Sequence, residues 1–258
     1  MPKFCANLSM LFNEVDFLDR FEAAAGAGFK GVEYLFPYAY DKALLADLLG
    51  KHGLTQVLHN LPPGNWEAGE RGIACHPDRV EEFQESVGLA IEYATALGCG
   101  QVNCLAGIMP RGASPNAVST TLIDNLEFAA EELSRAGIRL LVEPINTRDI
   151  PGFCLNRTRQ AADIMDTVRS DNLALQYDVY HMQIMEGDLT PTIERLIERI
   201  GHFQVADNPG RHEPGTGEIN YRFVFECIDS LGYEGWIGCE YRPATTTLEG
   251  LGWLDPYL

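Results

Sequence analysis

Eight short apolar segments alternate with seven longer amphipathic segments along this chain, and this alternation limits the fold more than any other feature. The apolar segments have the length and composition of buried strands. They cover residues 4–9, 31–36, 54–60, 101–106, 138–143, 173–178, 200–206 and 235–241. The amphipathic segments predict helices at residues 14–27, 41–52, 77–98, 114–136, 157–169, 190–199 and 219–231. A glycine often separates a helix from the next strand, as in ALGCGQV and RAGIRLL, which is typical of the βα unit of a parallel sheet.

The number of strands favours a closed barrel. Eight strands in a chain of 258 residues predict a single-domain (β/α)8 TIM barrel that spans residues 1–258. A doubly wound open sheet is the alternative, although it would contain two or three strands fewer. The chain has no Pro/Ser-rich linker, low-complexity tract or charge block that would divide it into domains.

Charge and composition exclude several classes of partner. The formal net charge of −18 should repel phosphate backbones and anionic membranes, so we expect neither a nucleic-acid nor a membrane partner. No segment approaches the roughly 20 apolar residues of a membrane helix, and the N-terminus does not resemble a signal peptide. Seven scattered cysteines without a CxxC pair indicate a reduced, cytoplasmic protein.

Four oxygen-bearing side chains stand where the last four predicted strands end. They are Glu143, Asp178, Gln204 and Glu240. Because the carboxyl ends of neighbouring barrel strands meet at one rim, these side chains should converge, and buried carboxylates need a partner charge or a metal. Hard oxygen ligands favour Mg2+ or Mn2+. The alternative is four independent rim residues that bind loop backbone.

Two histidines and one arginine are the candidate substrate-binding residues. His59 ends the third predicted strand and His181 follows the sixth, and each could bind a substrate hydroxyl or carbonyl or instead be a structural histidine. Arg211 lies in the glycine-rich loop ADNPGRHEPGTGEIN, where it could pair with a carboxylate or simply be solvated in a rigid turn. Arg71 and Arg111 follow other strands and are weaker candidates.

Two further segments have open roles. Residues 61–76 form the longest irregular segment, on the side where barrel active sites are built, and could be a lid or a decorative insertion. The aromatic C-terminal segment TTTLEGLGWLDPYL could pack on the barrel or on a partner subunit, which leaves a homo-oligomer open.

Several motifs together resemble the hydroxypyruvate isomerase family of the xylose-isomerase-like barrel superfamily. They are ANLSMLF, GFKGVEYLFPY, LVEPIN, QYDVYHMQ and HFQVADNPGRHEPGTGEINY, and the likeness covers nearly the whole chain. The resemblance implies that a divalent ion is held by Glu143, Asp178, Gln204 and Glu240. It also implies that Glu143 and Glu240 transfer the proton, and that His181 and Arg211 contact substrate oxygens. Gln204 stands where the sugar epimerases have a histidine, and six scattered histidines argue against the endonuclease branch, which binds several zinc ions.

The implied reaction interconverts hydroxypyruvate and tartronate semialdehyde through an enediol, with a small anionic hydroxy-keto acid as substrate. The related 2-oxo-tetronate isomerases share much of the pattern, so the exact substrate stays open. A ketose 3-epimerase on the same scaffold is a second hypothesis. A non-catalytic barrel that serves as a binding module is a third.

Overall fold

The chain folds into one closed barrel of eight parallel strands surrounded by helices. The computed structural model describes residues 1–257, and Leu258, the last residue of the predicted domain, lies outside the described residues. The strands pair in chain order, and the first also pairs with the eighth. They are β1 (Lys3–Asn7), β2 (Gly31–Glu33), β3 (Thr55–Asn60), β4 (Gln101–Cys104), β5 (Arg139–Val142), β6 (Leu173–Asp178), β7 (Ile200–Val205) and β8 (Trp236–Cys239).

Eight α-helices lie between or after the strands. They are α1 (Arg20–Gly26), α2 (Lys42–His52), α3 (Val80–Leu97), α4 (Pro115–Arg135), α5 (Thr158–Val168), α6 (Val179–Met185), α7 (Leu189–Leu196) and α8 (Tyr221–Ser230). Short 3₁₀ segments occupy Phe17–Asp19, Ile197–Arg199 and Glu249–Leu254. All eight predicted strands and the predicted barrel are therefore confirmed.

Helix α6 was not predicted, because its sequence has no amphipathic period. Its first four residues, Val179 to Met182, are all buried. The helix begins because the preceding aspartate caps it: the side chain of Asp178 accepts hydrogen bonds from the backbone N–H groups of Tyr180 and His181. This unpredicted turn of helix carries His181 to the rim of the barrel.

The barrel interior changes from apolar to polar along its axis. Toward the amino ends of the strands it is filled by Cys5, Val57, Leu58 and Leu141. Toward the carboxyl ends, buried amides and carboxylates replace them, and these side chains bond to one another. Polar groups are costly to bury unless they are paired or bind a ligand, so the polar half is where a site is expected.

The segment 61–76 is packed against the body of the protein. Within the segment, Gly72 N donates to Pro63 O at 2.9 Å, and Cys75 N donates to Ala106 O, just beyond β4, also at 2.9 Å. The side-chain amide of Asn125 on α4 donates to Ala74 O, at 2.8 Å. In this conformation the segment forms one wall of the barrel mouth, through Trp66 and Arg71.

The C-terminal aromatic residues pack on the barrel of their own chain. The ring of Trp253 stacks on Phe225, with centroids 5.9 Å apart, and meets Phe4 edge-on at 5.2 Å. Tyr257 also contacts Phe4 and Phe225. Among residues 1–257, none of the helices combines the length and the apolar character that crossing a membrane requires.

Candidate active site

A pocket of about 220 Å3 lies at the carboxyl ends of the strands. Its lining includes Glu143, Gln204 and Glu240, together with His181 and Arg211. Larger clefts, of about 510 and 700 Å3, lie elsewhere on the described surface, but none of the predicted site residues lines them. The structure therefore brings five of the seven predicted site residues together in one small pocket.

Asp178 lies at the edge of this pocket. One of its carboxylate oxygens accepts hydrogen bonds, and the other is unpaired within the described residues. Its Oδ1 accepts from the N–H groups of Tyr180, at 2.8 Å, and His181, at 3.2 Å, at the start of α6. Its Oδ2 is buried and has no hydrogen-bond partner among residues 1–257. A buried, unpaired carboxylate oxygen is a costly feature that a bound cation would relieve.

Glu143 stands next to Asp178. One candidate ligand atom each from Glu143, Asp178 and His181 lies within 4.8 Å of the other two, so the two carboxylates are close enough to share a metal ion. The other oxygen of Glu143, Oε2, accepts from Asn103 Nδ2 at 3.0 Å. That bond fixes the plane of the carboxylate and leaves Oε1 directed toward His181 and the pocket.

The three carboxylates have strongly perturbed acidity. Burial raises the pKa of Glu143 well above its usual range, and the nearby charges of Glu240 and Asp178 raise it further. Burial likewise raises the pKa of Glu240 to about 8 and that of Asp178 to about 6, although the Arg211 charge opposes both shifts. Clustered carboxylates that resist ionisation are the donor set that a hard divalent cation fits, because the cation stabilises the ionised forms.

His181 is held in one tautomer. Asn146 Nδ2 donates to its Nδ1, at 2.6 Å. The orientation of that amide is fixed by Asp149, whose N–H donates to Asn146 Oδ1 at 2.8 Å and whose Oδ2 accepts from Asn146 Nδ2 at 3.1 Å. Exchanging the amide oxygen and nitrogen would break both bonds. Nδ1 is therefore an acceptor, and the proton of the neutral ring is on Nε2.

Burial and the nearby Arg211 charge lower the pKa of His181 well below its usual value, so the ring is neutral at pH 7. Nε2 lies 3.6 Å from Asp178 Oδ2 and 3.8 Å from Glu143 Oε1, beyond hydrogen-bond length. The ring therefore presents an N–H donor between two carboxylates, where an oxygen atom of a ligand could accept it.

Arg211 is already paired by charge. Its Nη2 lies 3.4 Å from Glu240 Oε1, and its Nη1 lies 3.6 Å from Asp149 Oδ2. The guanidinium also lies 5.1 Å from the ring centroid of Tyr180. Burial alone would lower the pKa of Arg211, but the Glu240 and Asp178 charges raise it, so the side chain is a permanent cation beside Glu240.

Gln204 is joined to a buried carboxylate that the sequence analysis missed. Its Nε2 donates to Glu33 Oε1, at 2.8 Å, and its Oε1 accepts from Gln176 Nε2, at 2.6 Å. Glu33 also accepts from Asn7 and lies 2.7 Å from His202 Nε2. Burial alone would raise the pKa of Glu33, but His202 and these hydrogen bonds lower it, so the carboxylate is ionised and can only accept.

His59 is not brought into the pocket. Its side chain lies on the outer side of β3, where Nδ1 is 3.4 Å from the hydroxyl of Tyr38 and the two rings meet edge-on. The next residue, Asn60, points the opposite way and lines the pocket, as strand alternation requires. Burial lowers the pKa of His59 to about 4, so it is a neutral histidine packed between the barrel and the helices.

Several polar residues near the pocket were missed or ranked low from sequence, among them Arg242, which lines it. Glu33 carries a readable signal, because it is a carboxylate inside the apolar run GVEYLF. Asn146 ends the LVEPIN motif, but the motif does not show what its side chain contacts, and Asp149 follows β5 in a loop whose path the sequence does not reveal. Arg71 lines the pocket from the segment 61–76 and was only a weaker candidate.

Comparison with known proteins gives a family. The sequence profile described as "Xylose isomerase-like TIM barrel" matches residues 21–257. Hydroxypyruvate isomerase from Escherichia coli is 56% identical, with 100% of both chains covered. The 2-oxo-tetronate isomerase of Cupriavidus necator is 50% identical, with 100% of this chain and 99% of that one covered.

Among solved structures, the crystal structure described as "AP endonuclease, family 2" from Brucella melitensis superposes with a TM-score of 0.98. Its sequence is 48% identical, and the match covers 100% of this chain and 99% of that one. The profile match, the full-length relatives and this superposition agree with the closed barrel described above. The chain belongs to the xylose isomerase-like TIM barrel family.

Proposed function

We propose that this protein is an aldose–ketose type isomerase that interconverts hydroxypyruvate and tartronate semialdehyde. One observation carries the proposal: two buried carboxylates with raised pKa, Glu143 and Glu240, line a small pocket that also contains arginine side chains. Groups with a pKa near or above neutrality are suited to both giving and taking a proton. The 56% identical relative carries the name of this activity.

The pocket volume supports a small substrate. Pockets for drug-sized ligands enclose about 300–1,000 Å3, whereas this one encloses about 220 Å3. That space suits a three- or four-carbon acid better than a ketohexose. The cationic side chains Arg71, Arg211 and Arg242 in the lining further favour an anion.

The cluster of three carboxylate side chains fits a divalent cation. We propose that Mg2+ or Mn2+ is held by Glu143, Asp178, Gln204 and Glu240. The unpaired Oδ2 of Asp178 and the raised pKa values of Glu143 and Glu240 support this assignment. When bound, such a cation supplies Lewis-acid stabilisation of negative charge on substrate oxygens. Hard oxygen ligands select these ions over zinc.

The residues of the chain account for the proton movements. One of Glu143 and Glu240 removes a proton from C3 of hydroxypyruvate, and the electron pair of that C–H bond forms the C2–C3 double bond while the C2 oxygen takes up the proton that the C3 hydroxyl gives up. The other glutamate then delivers a proton to C2, the C2–C3 double bond breaks, and the C3 oxygen forms the carbonyl of the aldehyde. No net oxidation occurs, and the two glutamates exchange roles when the direction reverses.

His181 and Arg211 complete the assignment. The Nε2–H of His181 donates a hydrogen bond to a substrate oxygen. The tautomer supports this role, because a nitrogen that carries a proton does not coordinate a metal. Arg211 opposes the rise in the pKa of Glu240 that burial causes, and it balances the charge of the enediolate. His59 has no place in the proposal, because it faces the helices.

The size and charge of the pocket separate this proposal from the ketose epimerase but not from the 2-oxo-tetronate isomerase. A 2-oxo-tetronate isomerase shares the reacting atoms and differs by one carbon, so it stays the nearest alternative, and a relative of that name is 50% identical. A ketose 3-epimerase would need a larger and less cationic pocket.

All seven cysteines are free thiols, so a reducing compartment such as the cytoplasm is part of the proposal.

Product analysis by NMR tests the proposal. Protein treated with a chelator and reloaded with Mn2+ or Mg2+ should convert hydroxypyruvate, and the chelated protein should not. Turnover of 2-oxo-tetronate alone, or of a ketohexose alone, would replace this function with the corresponding alternative. If the protein neither binds the ions nor turns over any of the three compounds, it is a non-catalytic barrel.

A further inference from the structure

We propose that Arg71 binds the carboxylate of the substrate and thereby selects keto acids over neutral ketoses. The inference rests on the proposed function and extends it, because that function requires a recognition site for the one group that hydroxypyruvate and 2-oxo-tetronate share beyond the reacting carbons. Arg211 was the sequence-based choice for this role, and the geometry assigns it elsewhere.

One edge of the Arg71 guanidinium is anchored and the other is open. Its Nη1 donates to Trp66 O, at 3.0 Å, and to Glu70 O, at 2.6 Å. The guanidinium carbon lies 3.9 Å from the ring centroid of Trp66, so the group also stacks on that side chain. The Nε and Nη2 atoms make no hydrogen bond within residues 1–257. These two N–H groups form the parallel fork that binds a carboxylate through both of its oxygens.

The charge of Arg71 is also unpaired. In the described part of the chain no carboxylate lies within 4.0 Å of its guanidinium, although it lines the same pocket as Glu143 and Glu240. Arg211 differs, because carboxylates lie 3.4 and 3.6 Å from it. A cation that is already balanced by protein carboxylates gains less from a substrate carboxylate than one that is not.

The segment that carries Arg71 is held in place. Gly72 has φ of +103°, and a Cβ added there would lie 2.1 Å from Leu105 O, so the backbone next to Arg71 packs directly on the end of β4. The carboxylate of Glu70 is bound by Arg79 and by the backbone N–H of Asn65. The open fork of Arg71 is therefore preorganised, which lowers the cost of ordering it when a ligand binds.

The kinetic test compares two substrates that differ only at the group in question. Hydroxypyruvate carries a carboxylate where dihydroxyacetone carries a neutral hydroxymethyl group, and both isomerise through an enediol. In Arg71→Gln we expect kcat/KM for hydroxypyruvate to fall about 10- to 150-fold, the loss of one charge-assisted hydrogen-bonded pair. We expect a change below about threefold for dihydroxyacetone. Arg71→Lys keeps the charge but lacks the fork, so its kcat/KM for hydroxypyruvate should lie between those of the wild type and Arg71→Gln.

Arg111→Gln is the matched control, because the substitution removes the same charge. Arg111 is exposed in the loop after β4 and does not line the pocket. It should behave like the wild type with both compounds. An equal loss for hydroxypyruvate and dihydroxyacetone in Arg71→Gln, or no loss for either, would overturn the proposal. Thermal unfolding of each variant shows whether the segment 61–76 stays folded.

A binding measurement separates this inference from the proposed function. Tartronate is a hydroxy-dicarboxylate that cannot isomerise, and its affinity for the Mn2+-loaded protein is read by calorimetry. If the wild type does not turn over hydroxypyruvate or 2-oxo-tetronate, the proposed function fails, whereas a tenfold or greater rise in the tartronate Kd of Arg71→Gln still supports the carboxylate site. An unchanged tartronate Kd in Arg71→Gln contradicts the site whatever the activity.

Discussion

The side-chain Nε2 of Gln204 lies 2.8 Å from Oε1 of Glu33, deep inside the barrel. Because the ionised Glu33 carboxylate can only accept hydrogen bonds, it dictates which end of the Gln204 amide turns toward it. The amide oxygen is thereby directed toward Gln176 and the pocket. Glu33 is thus a positioning residue for an oxygen that we assign to the metal.

Glu33→Gln should weaken Mn2+ binding about 10- to 100-fold, which is the usual effect of removing a hydrogen-bond partner of a metal ligand. The variant can present an N–H group to Gln204, so the amide of Gln204 loses its fixed orientation. Calorimetric Mn2+ titration measures the effect. Gly238→Ala is an independent probe, because its Cβ would lie 2.4 Å from Glu33 Oε1. The control is Glu85→Gln, at an exposed position. Unchanged Mn2+ affinity in both Glu33→Gln and Gly238→Ala would exclude the positioning role.

Glu143→Gln and Glu240→Gln should each lower kcat by about 100-fold or more, the usual range for a lost acid/base group. Glutamine keeps a coordinating oxygen, so Mn2+ affinity should weaken far less than turnover. Steady-state kinetics at saturating Mn2+ and a separate metal titration distinguish the two effects. Near wild-type kcat in either variant would remove that residue from proton transfer, whatever its part in coordination.

The sequence was sufficient for the barrel and for four of its rim residues, because both depend on local periodicity. Glu143, Asp178, Gln204 and Glu240 could be placed by counting strands, since the carboxyl ends of parallel strands must share one rim. His59 shows the limit of this reasoning. Its strand was predicted correctly, but one residue decides which face a side chain occupies, and Asn60 faces the pocket instead.

The remaining site residues depend on long-range packing that the sequence does not display. Asn146 and Asp149 act on His181 from a loop, and they approach it only because α6 turns directly after Asp178. The orientation of Arg71 results from contacts with Trp66 and Glu70 inside an irregular segment. Neither arrangement follows from a period in the sequence, and the LVEPIN motif, which contains Asn146, does not show which side chain that amide contacts.

The imidazole ring of His181 should carry its proton on Nε2 throughout the neutral pH range. The Asn146 amide donates to Nδ1, and burial keeps the ring neutral. Two-dimensional ¹H–¹⁵N NMR of the histidine rings, with the signal assigned through a His181→Gln variant, reads the tautomer directly. A proton on Nδ1 would show that Nε2 is free to coordinate a metal and would end its assignment as a donor to substrate.

Gly72→Ala should disturb the wall of the pocket more than Gly69→Ala. Both glycines have positive φ, +103° and +95°, so both substitutions introduce backbone strain of about 1 kcal/mol. Only at Gly72 does the added Cβ meet another atom, Leu105 O at 2.1 Å, whereas nothing lies within 4 Å at Gly69. We therefore expect a larger fall in Tm in Gly72→Ala than in Gly69→Ala, and a raised KM for hydroxypyruvate only in Gly72→Ala. Equal effects of the two variants would mean that this contact does not hold the segment.

The metal-free protein should lose stability as the pH rises from 6.5 to 8.5. The folded protein keeps Glu240 protonated up to about pH 8, whereas an unfolded glutamate ionises near its ordinary pKa of 4.5. Between these values the folded state binds more protons than the unfolded state, so raising the pH favours unfolding. The loss is on the order of 1–2 kcal/mol, or a few degrees in Tm. His59 has a pKa lowered from 6.5 to about 4, so it adds a small opposite trend that ends once an unfolded histidine has lost its proton, about one pH unit above 6.5.

Thermal unfolding in a chelator and in Mn2+ checks this expectation. Bound Mn2+ stabilises the ionised carboxylates, so the increase in Tm that it produces should be larger at pH 8.5 than at pH 6.5. The net charge of −18 adds a general repulsion at high pH, and Glu240→Gln corrects for it, because that variant keeps nearly the whole surface charge and removes the titrating group. A metal-free Tm that stays constant or rises over this range, or a pH dependence that is unchanged in Glu240→Gln, would show that Glu240 is not the buried, protonated group that the geometry implies.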